Sequence, residues 1–357
     1  MSILNSYLVR VSCKTYNQSV YITDALNGFC MQQTDFPFVC TIIDDASTDG
    51  EQDVIKNYLQ EHFDLEDPSI VKKDESDDCC RIFARHKTNE NCYFAVILLK
   101  YNHYRKKAKY PYYREWADTK YLALCEGDDY WTDPLKLQMQ VDFLEANEHI
   151  SMCCTDSSIR TSDGESRWPH YNENRLAAVE DVILFGLDGR GVCFQTATIV
   201  YRRSLFTDKS YPKFCSNCHV GDYPLMLWAA MNGGIYYLNK TTAVYRWHSE
   251  GSWTKRQQKT PVDKKIPGWR SEIDMLKGLD VWSQGIYSAS FRERISSYLF
   301  GIIRGNIDEA EPIMSEFHDE LNLLNRRQRL FVFVLKHFPR TLFFVKKVRN
   351  MVKKRNR

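Results

Sequence analysis

The stretch that decides the fold is residues 121–134, Tyr-Leu-Ala-Leu-Cys-Glu-Gly-Asp-Asp-Tyr-Trp-Thr-Asp-Pro. Its first five residues are apolar, which is typical of a buried strand. Glu126, Gly127, Asp128 and Asp129 follow directly. Three carboxylates crowded at the end of a buried strand repel one another and lose hydration. A divalent cation held together with substrate phosphates would relieve that repulsion, and this is the interpretation we favour.

The alternative interpretation of the same stretch needs no ligand. Asp133 precedes Pro134 and a helical pattern of apolar residues over 135–146, so Asp133 is placed to cap a helix. The acidic residues would then form a solvated turn. Capping explains Asp133 but not the close spacing of the three carboxylates before it.

Two strand–loop–helix units precede this stretch. Residues 7–13 and 38–43 are strand-like, and each run is followed by polar residues and then by a helical pattern. This alternation predicts a parallel α/β sheet, whose ligands bind beyond the carboxyl ends of the strands. Turn and capping chemistry explains residues 47–50, but not the paired Asp44 and Asp45 attached to the strand end.

The remaining patterns complete the expected architecture. They predict a loop over 64–78, a strand over 194–201, a hairpin with strands at 235–238 and 242–245, and helices from 272 onward. We divide the chain into a catalytic domain (1–255), a helical extension (256–325) and a basic amphipathic tail (326–357).

Composition and cysteine placement indicate the compartment. The 357 residues are 43% hydrophobic, enough for a large core, and include 12 cysteines. Many cysteines have strand-like apolar neighbours, and the first residues lack the pattern of a signal peptide, so we expect a reducing, cytoplasmic environment. Cys215 and Cys218, followed by His219, have the spacing of zinc ligands, but a zinc site needs more ligands and no second such pair accompanies them, so zinc is not the favoured interpretation.

Charge is unevenly distributed along the chain. Residues 326–357 hold 12 Lys and Arg and no Asp or Glu, whereas the rest of the chain holds 36 basic against 46 acidic residues, a net charge of −10. Neither apolar piece of the tail approaches the roughly 20 residues that span a bilayer. We expect the tail to lie on the anionic inner face of the cytoplasmic membrane; the alternative is a helix pair packed on the domain.

A second basic cluster, Arg105, Lys106, Lys107 and Lys109, is interleaved with tyrosines. Tyrosines among basic residues can stack on nucleic-acid bases. A surface that faces a phosphate-bearing ligand, or a plain solvated surface, is the favoured interpretation, so no nucleic-acid partner is predicted.

Five motifs in this order resemble the family 2 glycosyltransferases of GT-A fold, typically bacterial enzymes that build surface polysaccharides. They are Val-Ser-Cys-Lys-Thr-Tyr-Asn at 11–17, Asp-Asp-Ala-Ser-Thr-Asp at 44–49, Glu-Gly-Asp-Asp at 126–129, Gly-Asp at 221–222 and Tyr-Arg-Trp-His at 245–248. The resemblance covers about residues 7–253. It implies an α/β chain with the GT-A (nucleotide-diphospho-sugar transferase) fold and a mostly parallel central sheet, here with a C-terminal helical extension.

The resemblance also implies the roles of individual residues. The nucleotide-sugar site would comprise Thr15, Tyr16, Asn17, Asp44, Asp45, Glu126, Asp128 and His248. Asp128 and Asp129 would hold the Mn²⁺ or Mg²⁺ that bridges the donor's diphosphate. Asp222 would deprotonate the acceptor hydroxyl, which attacks the opposite face of the sugar and inverts the anomeric carbon.

The function implied is an inverting, metal-dependent transfer of a sugar, with UDP the family's commonest donor nucleotide, to a glycan or lipid-linked acceptor in surface-polysaccharide synthesis. The chain lacks the Gln-x-x-Arg-Trp element of processive synthases, which favours single addition. One alternative is a sugar-phosphate nucleotidyltransferase, which would need a Gly-rich phosphate loop that residues 14–17 do not form. Another is a non-catalytic membrane- or nucleic-acid-binding protein with a degenerate domain.

Overall fold

The computed structural model describes residues 7–103, 110–167, 171–185, 194–207, 210–247 and 253–338. The chain divides into two compact units. Unit 1 is Met1–Val182, Val192–Tyr211 and Leu225–Lys259, and unit 2 is Ile183–Gly191, Pro212–Pro224 and Thr260–Arg357. Two short segments of the expected catalytic domain therefore group with the helical residues. The domain bounds drawn from the sequence stay a prediction.

Unit 1 contains the strands of the described chain. They are β1 Val9–Thr15, β2 Phe38–Asp44, β3 Phe63–Asp64, β4 Lys72–Glu75, β5 Cys79–His86, β6 Cys92–Leu99, β7 Tyr121–Leu124, β8 Tyr130–Trp131, β9 Met152–Thr161, β10 Gly164–Arg167, β11 Arg175–Leu176, β12 Val200–Arg202 and β13 Ile235–Arg246.

The helices occur in both units. They are α1 Ile22–Cys30, α2 Glu51–His62, α3 Tyr110–Tyr113, α4 Lys136–Ala146, α5 Val179–Ile183, α6 Ser204–Thr207, α7 Lys213–Ser216, α8 Asp222–Met231, α9 Trp253–Lys259, α10 Val262–Trp282, α11 Ser288–Gly305, α12 Ala310–Glu316 and α13 Arg326–His337. None of the described helices is both long and apolar enough to cross a membrane.

The strands form a single sheet in the order β11-β13-β9-β12-β7-β1-β2-β6-β5-β3, with β10, β4 and β8 paired beside this path. The four central strands β7, β1, β2 and β6 are parallel. Their carboxyl ends therefore share one edge of the sheet, where ligands of α/β folds bind. This confirms the expected α/β class with a mostly parallel central sheet.

The central strands are buried on both faces. Strand β2 is buried along its whole length. On one face Phe29 of α1, Ile55 of α2 and Val141 of α4 belong to one apolar cluster, and on the other face Phe83 and Trp116 belong to a second. Fully burying a side chain of this size contributes about 1.5–3 kcal/mol, so the two layers hold the loops at the strand ends on a rigid support.

Three of the expectations drawn from the sequence are wrong. The expected loop at 64–78 contains β4, an exposed edge strand paired with β5. The expected strand at 194–201 contains a 3₁₀ turn at Thr196–Thr198, and strand β12 begins only at Val200. The expected hairpin is the single strand β13, whose register with β9 shifts between Leu238 and Ala243. A bulge of this kind inserts polar residues without ending the strand.

Candidate active site

Three of the sequence motifs meet at the carboxyl edge of the parallel strands. The backbone N–H of Gly127 donates to the carbonyl of Lys14 at 3.2 Å, and that of Asp45 donates to the carbonyl of Thr15 at 3.0 Å. The loop after β1 thus lies between the loops after β2 and β7. The structure therefore brings Thr15, Asp45 and the acidic turn together, as the sequence predicts.

Gly127 permits this close approach. A Cβ at this position would lie 2.7 Å from Oε1 of Gln18 and would also meet Oγ1 of Thr15. Any larger residue would have to push the acidic turn away from the loop after β1. The glycine of the Glu-Gly-Asp-Asp motif is therefore required by packing against the first motif.

The carboxylate of Glu51, at the start of α2, joins the loops after β1 and β2. Glu51 is fully buried. Its Oε2 accepts from the backbone N–H of Gln18 at 2.9 Å and from Oγ of Ser47 at 2.8 Å, while Oε1 accepts from the hydroxyl of Thr15. Burial raises the pKa of Glu51, and these donors act in the opposite direction. The sequence did not predict a role for Glu51, because a glutamate at the start of a helix gives no local indication that it will be buried.

Asn17 uses its side chain to connect the same two loops. Its Oδ1 accepts from the backbone N–H of Thr48 at 2.8 Å, and its own backbone N–H donates to Oγ of Ser47 at 2.9 Å. Asn17 has a φ of +54°, a left-handed conformation that asparagine tolerates well. Tyr16 beside it is half-buried. The donor-binding roles expected of these two residues stay predictions.

Asp44 and Asp45 differ in their surroundings. Asp44 is fully buried, and its Oδ1 accepts from the backbone N–H of Ser47 at 3.0 Å and from Nε2 of Gln52 at 2.6 Å. Oδ1 of Asp45 accepts from the backbone N–H of His103 at 2.7 Å. The segment after β6, whose role the sequence does not reveal, therefore contacts Asp45.

The acidic turn after β7 is fixed by Arg246, the last residue of β13. The backbone N–H of Arg246 donates to Oδ1 of Asp129 at 2.9 Å, and its Nη1 donates to the carbonyl of Asp128 at 2.7 Å. The guanidinium also pairs with Asp24 and lies 4.4 Å from the ring centroid of Tyr130. Burial, and then the charge of Asp128, raise the pKa of Asp129. Arg246 belongs to a sequence motif but was not among the expected site residues.

The donor set fits a divalent cation that is shared with a substrate. Among the described residues, no three His, Cys, Asp or Glu side chains lie close enough to surround an ion. Asp128 and Asp129 offer the carboxylate oxygens that hard cations prefer, with Oδ1 of Asp129 already engaged by Arg246. Mg²⁺ and similar ions are commonly held by one or two carboxylates plus substrate phosphates and water. The residues suit that arrangement, and not a cage made of protein alone.

Of the other expected site residues, Glu126 lies in the acidic turn itself, whereas Asp222 and His248 follow much later in the chain. Glu126 is exposed. Asp222 begins α8 within unit 2, and its Oδ1 accepts from the backbone N–H of Tyr223 at 2.8 Å. His248, the basic cluster at 105–109 and the tail from 339 onward lie outside the described residues.

No protein-family model matches the chain. An uncharacterized protein of Mycobacterium bovis and one of Mycobacterium tuberculosis are each 32% identical to it over 241 residues, 67% of this chain and 58% of the relative. The chain therefore spans a little over half the length of the curated relatives that it matches.

Two solved structures share the fold. The crystal structure of S. aureus TarS 1–349 in complex with UDP-GlcNAc has a TM-score of 0.56 at 15% identity, over 90% of this chain and 82% of that chain. The mannosyltransferase PcManGT from Pyrobaculum calidifontis, in complex with GDP-Man and Mn²⁺, has a TM-score of 0.51 at 12% identity, over 93% of this chain and 84% of that chain. The chain thus has the GT-A-like fold of glycosyltransferases, as its motifs predict. Membership of family 2 stays a prediction.

Proposed function

We propose that the protein is a glycosyltransferase that moves a sugar from a nucleotide-diphosphate donor to an acceptor hydroxyl. The observation that carries the proposal is the meeting of the loops after β1, β2 and β7 at one edge of the sheet, with Thr15, Asp45 and Asp128 on them. The fold shared with TarS bound to UDP-GlcNAc and with PcManGT bound to GDP-Man supports a nucleotide-sugar donor. UDP is the donor nucleotide we propose, on the family resemblance alone.

The residues of the donor site divide into ligands and supports. Thr15 and Tyr16 line the base and ribose pocket, and Asp45 accepts from an N–H of the base. Glu51 holds the loops that carry them, because its carboxylate bonds to both. Asp128 and Asp129 would hold the Mn²⁺ or Mg²⁺, which would supply positive charge to the diphosphate leaving group. Asp129 keeps the turn in place through its bond from Arg246.

Asp222 is the proposed general base. A carboxylate within hydrogen-bond reach of the acceptor hydroxyl takes its proton as the oxygen attacks the anomeric carbon. Attack on the face opposite the leaving diphosphate inverts the configuration of the sugar. Asp222 is half-buried at the start of α8, so its carboxylate retains access to solvent.

The proposed acceptor is a glycan or lipid-linked hydroxyl at the inner face of the membrane, in surface-polysaccharide synthesis. Helix α13 supports this location, because it exposes Leu330, Phe333 and the following Phe338. The same helix carries Arg326, Arg327, Arg329 and Lys336 and no acidic residue. Apolar side chains flanked by cations suit a peripheral helix on anionic lipid. No nucleic-acid partner is proposed.

Substitution of the base tests the reaction. Asp222→Asn should reduce nucleotide release from a panel of UDP- and GDP-sugars by about 100-fold or more while nucleotide affinity stays within about two-fold, because a general base contributes 10²–10⁴-fold. Asp263→Asn, at an exposed carboxylate of the same unit, is the control. Turnover by Asp222→Asn equal to that of the control would remove Asp222 from the mechanism.

A further inference from the structure

The segment that carries Asp222 lies along one side of α10, within unit 2. The ring of Phe214 packs on Gly278, where a Cβ would lie 2.7 Å from the ring's Cγ. The ring of His219 packs on Gly268, where a Cβ would lie 3.2 Å from the ring's Cγ. The space that each glycine leaves on the surface of α10 is thus filled by a side chain from the segment before α8.

A hydrogen bond fixes the backbone of this segment three residues before Asp222. The backbone N–H of His219 donates to Oγ of Ser271 at 3.0 Å, and that hydroxyl donates in turn to the carbonyl of Gly268 at 2.7 Å. Positions 268, 271 and 278 are spaced by three and seven residues, so they lie on one side of the helix. The two packed rings and the hydrogen bond to Ser271 therefore contact the same side of α10.

Tyr223, the residue after Asp222, is also fixed by side-chain contacts. The hydroxyl of Tyr223 donates to the carbonyl of Ile183 at 2.7 Å. The guanidinium of Arg294, on α11, lies 5.2 Å from the ring centroid of Tyr223 and donates to the carbonyl of Phe185 at 2.7 Å. Arg294 is buried and also pairs with the buried Glu272 of α10 at 3.3 Å. Contacts of His219 with α10 and of Tyr223 with α11 thus flank Asp222 in the chain.

We propose that α10 and α11 position the candidate base, with the contact of His219 on Gly268 and Ser271 setting the place of Asp222. His219, Gly268 and Ser271 are then positioning residues for deprotonation of the acceptor hydroxyl. The inference rests on the proposed function, because it takes Asp222 as the base. It makes the helical extension, which the sequence placed outside the catalytic domain, part of the catalytic apparatus.

Two variants disturb the contact in different ways. Gly268→Leu fills the space that His219 occupies, and Ser271→Ala removes the acceptor of its backbone N–H. Gly301→Leu on α11 is the matched control, because a Cβ there meets no atom within 4 Å. Both test variants should lower kcat for nucleotide release from UDP- and GDP-sugars by about ten-fold or more, since small misplacements of a reacting group cost up to about 100-fold. The donor KM and the Kd for UDP with Mn²⁺ should stay within about two-fold.

Amide hydrogen exchange of residues 219–223 gives a readout that does not depend on activity. Faster exchange there in Gly268→Leu and Ser271→Ala, with global stability and the exchange of β1 and β2 unchanged, supports the inference. Exchange and kcat equal to those of Gly301→Leu overturn it. If the wild-type chain releases no nucleotide from any donor, the proposed function fails, and the exchange of 219–223 still decides whether α10 holds this segment.

Discussion

The backbone N–H of Arg246 donates to Oδ1 of Asp129 at 2.9 Å, although the two residues are 117 positions apart in the chain. The side chain of Arg246 adds a bond to the carbonyl of Asp128 at 2.7 Å. The end of β13 therefore sets the conformation of the acidic turn after β7, and the candidate donor site depends on a contact between the motif at 126–129 and the motif at 245–248.

Arg246→Ala should lower the free energy of unfolding by about 2–3 kcal/mol, because it removes a buried cation that is bonded to Asp128 and Asp24. Urea unfolding at pH 7 measures this loss. Arg114→Ala, at an exposed arginine of the same unit, should change stability by no more than about 0.5 kcal/mol. Equal stabilities of the two variants would show that Arg246 does not hold the turn.

Glu51→Ala should cost about 2 kcal/mol, because the backbone N–H of Gln18 and the hydroxyl of Ser47 both lose a buried acceptor. Glu61→Ala, at an exposed position of the same helix, is the control. The same urea titration distinguishes them. A loss in Glu51→Ala no greater than in Glu61→Ala would mean that the two loops are held together by other contacts.

Lys136 should make stability rise between about pH 8 and 10. Its side chain is fully buried, with Nζ donating to Oε1 of Gln140 at 2.7 Å, and burial lowers its pKa to about 8. The ordinary lysine pKa is about 10.4, so between these values the unfolded chain binds more protons than the folded chain, and stability increases with pH.

Lys136→Met removes this titration and nearly conserves volume. The stability of the variant minus that of the wild type should be larger at pH 7.5 than at pH 10, by about 2 kcal/mol. Urea unfolding of both chains at the two pH values measures the change. Parallel pH profiles would contradict the assignment of a strongly lowered lysine pKa.

Leu330→Ser with Phe333→Ser should weaken binding to vesicles that contain anionic lipid by about ten-fold or more, because two exposed apolar side chains no longer enter the bilayer surface. These side chains are 64% and 53% exposed on the basic helix α13. Co-sedimentation at fixed ionic strength measures the change.

The matched control for the vesicle experiment is Val281→Ser with Ile286→Ser, since those side chains are 80% and 75% exposed in the same unit but do not belong to α13. The control should bind vesicles like the wild type. Equal binding by both double variants and by the chain lacking residues 326–357 would refute membrane attachment through the tail.

The parallel part of the fold could be predicted because its signals are local. An apolar run that ends abruptly in Asp44 and Asp45, or in Glu126 to Asp129, marks both a buried strand and the edge where it stops. Parallel strands place such ends together, so the meeting of Thr15, Asp45 and Gly127 followed from the strand pattern. The roles of these residues stay predictions.

The remaining features depend on contacts between distant residues. Residues 239–242 of β13, Asn-Lys-Thr-Thr, are polar enough to suggest a turn, and pairing with β9 keeps them in a strand. Glu51 is buried because Thr15, Gln18 and Ser47 supply donors from two other loops. Likewise, α10 holds the segment of Asp222 through Gly268, which carries no side chain to signal a contact.

The most direct test of the account measures nucleotide binding by thermal shift. The wild type and Asp128→Asn are each heated with UDP, GDP, dTDP, CMP or ADP, with and without Mn²⁺ or Mg²⁺. A ligand that binds only the folded chain raises the midpoint, by about 2.7 kcal/mol of stability at 100 times Kd. One nucleotide should stabilise the wild type only when the metal is present, Asp128→Asn should lose this effect, and the exposed-site control Asp142→Asn should keep it. No stabilisation of the wild type by any nucleotide, or equal stabilisation of Asp128→Asn, would contradict a metal-assisted donor site at the end of β7.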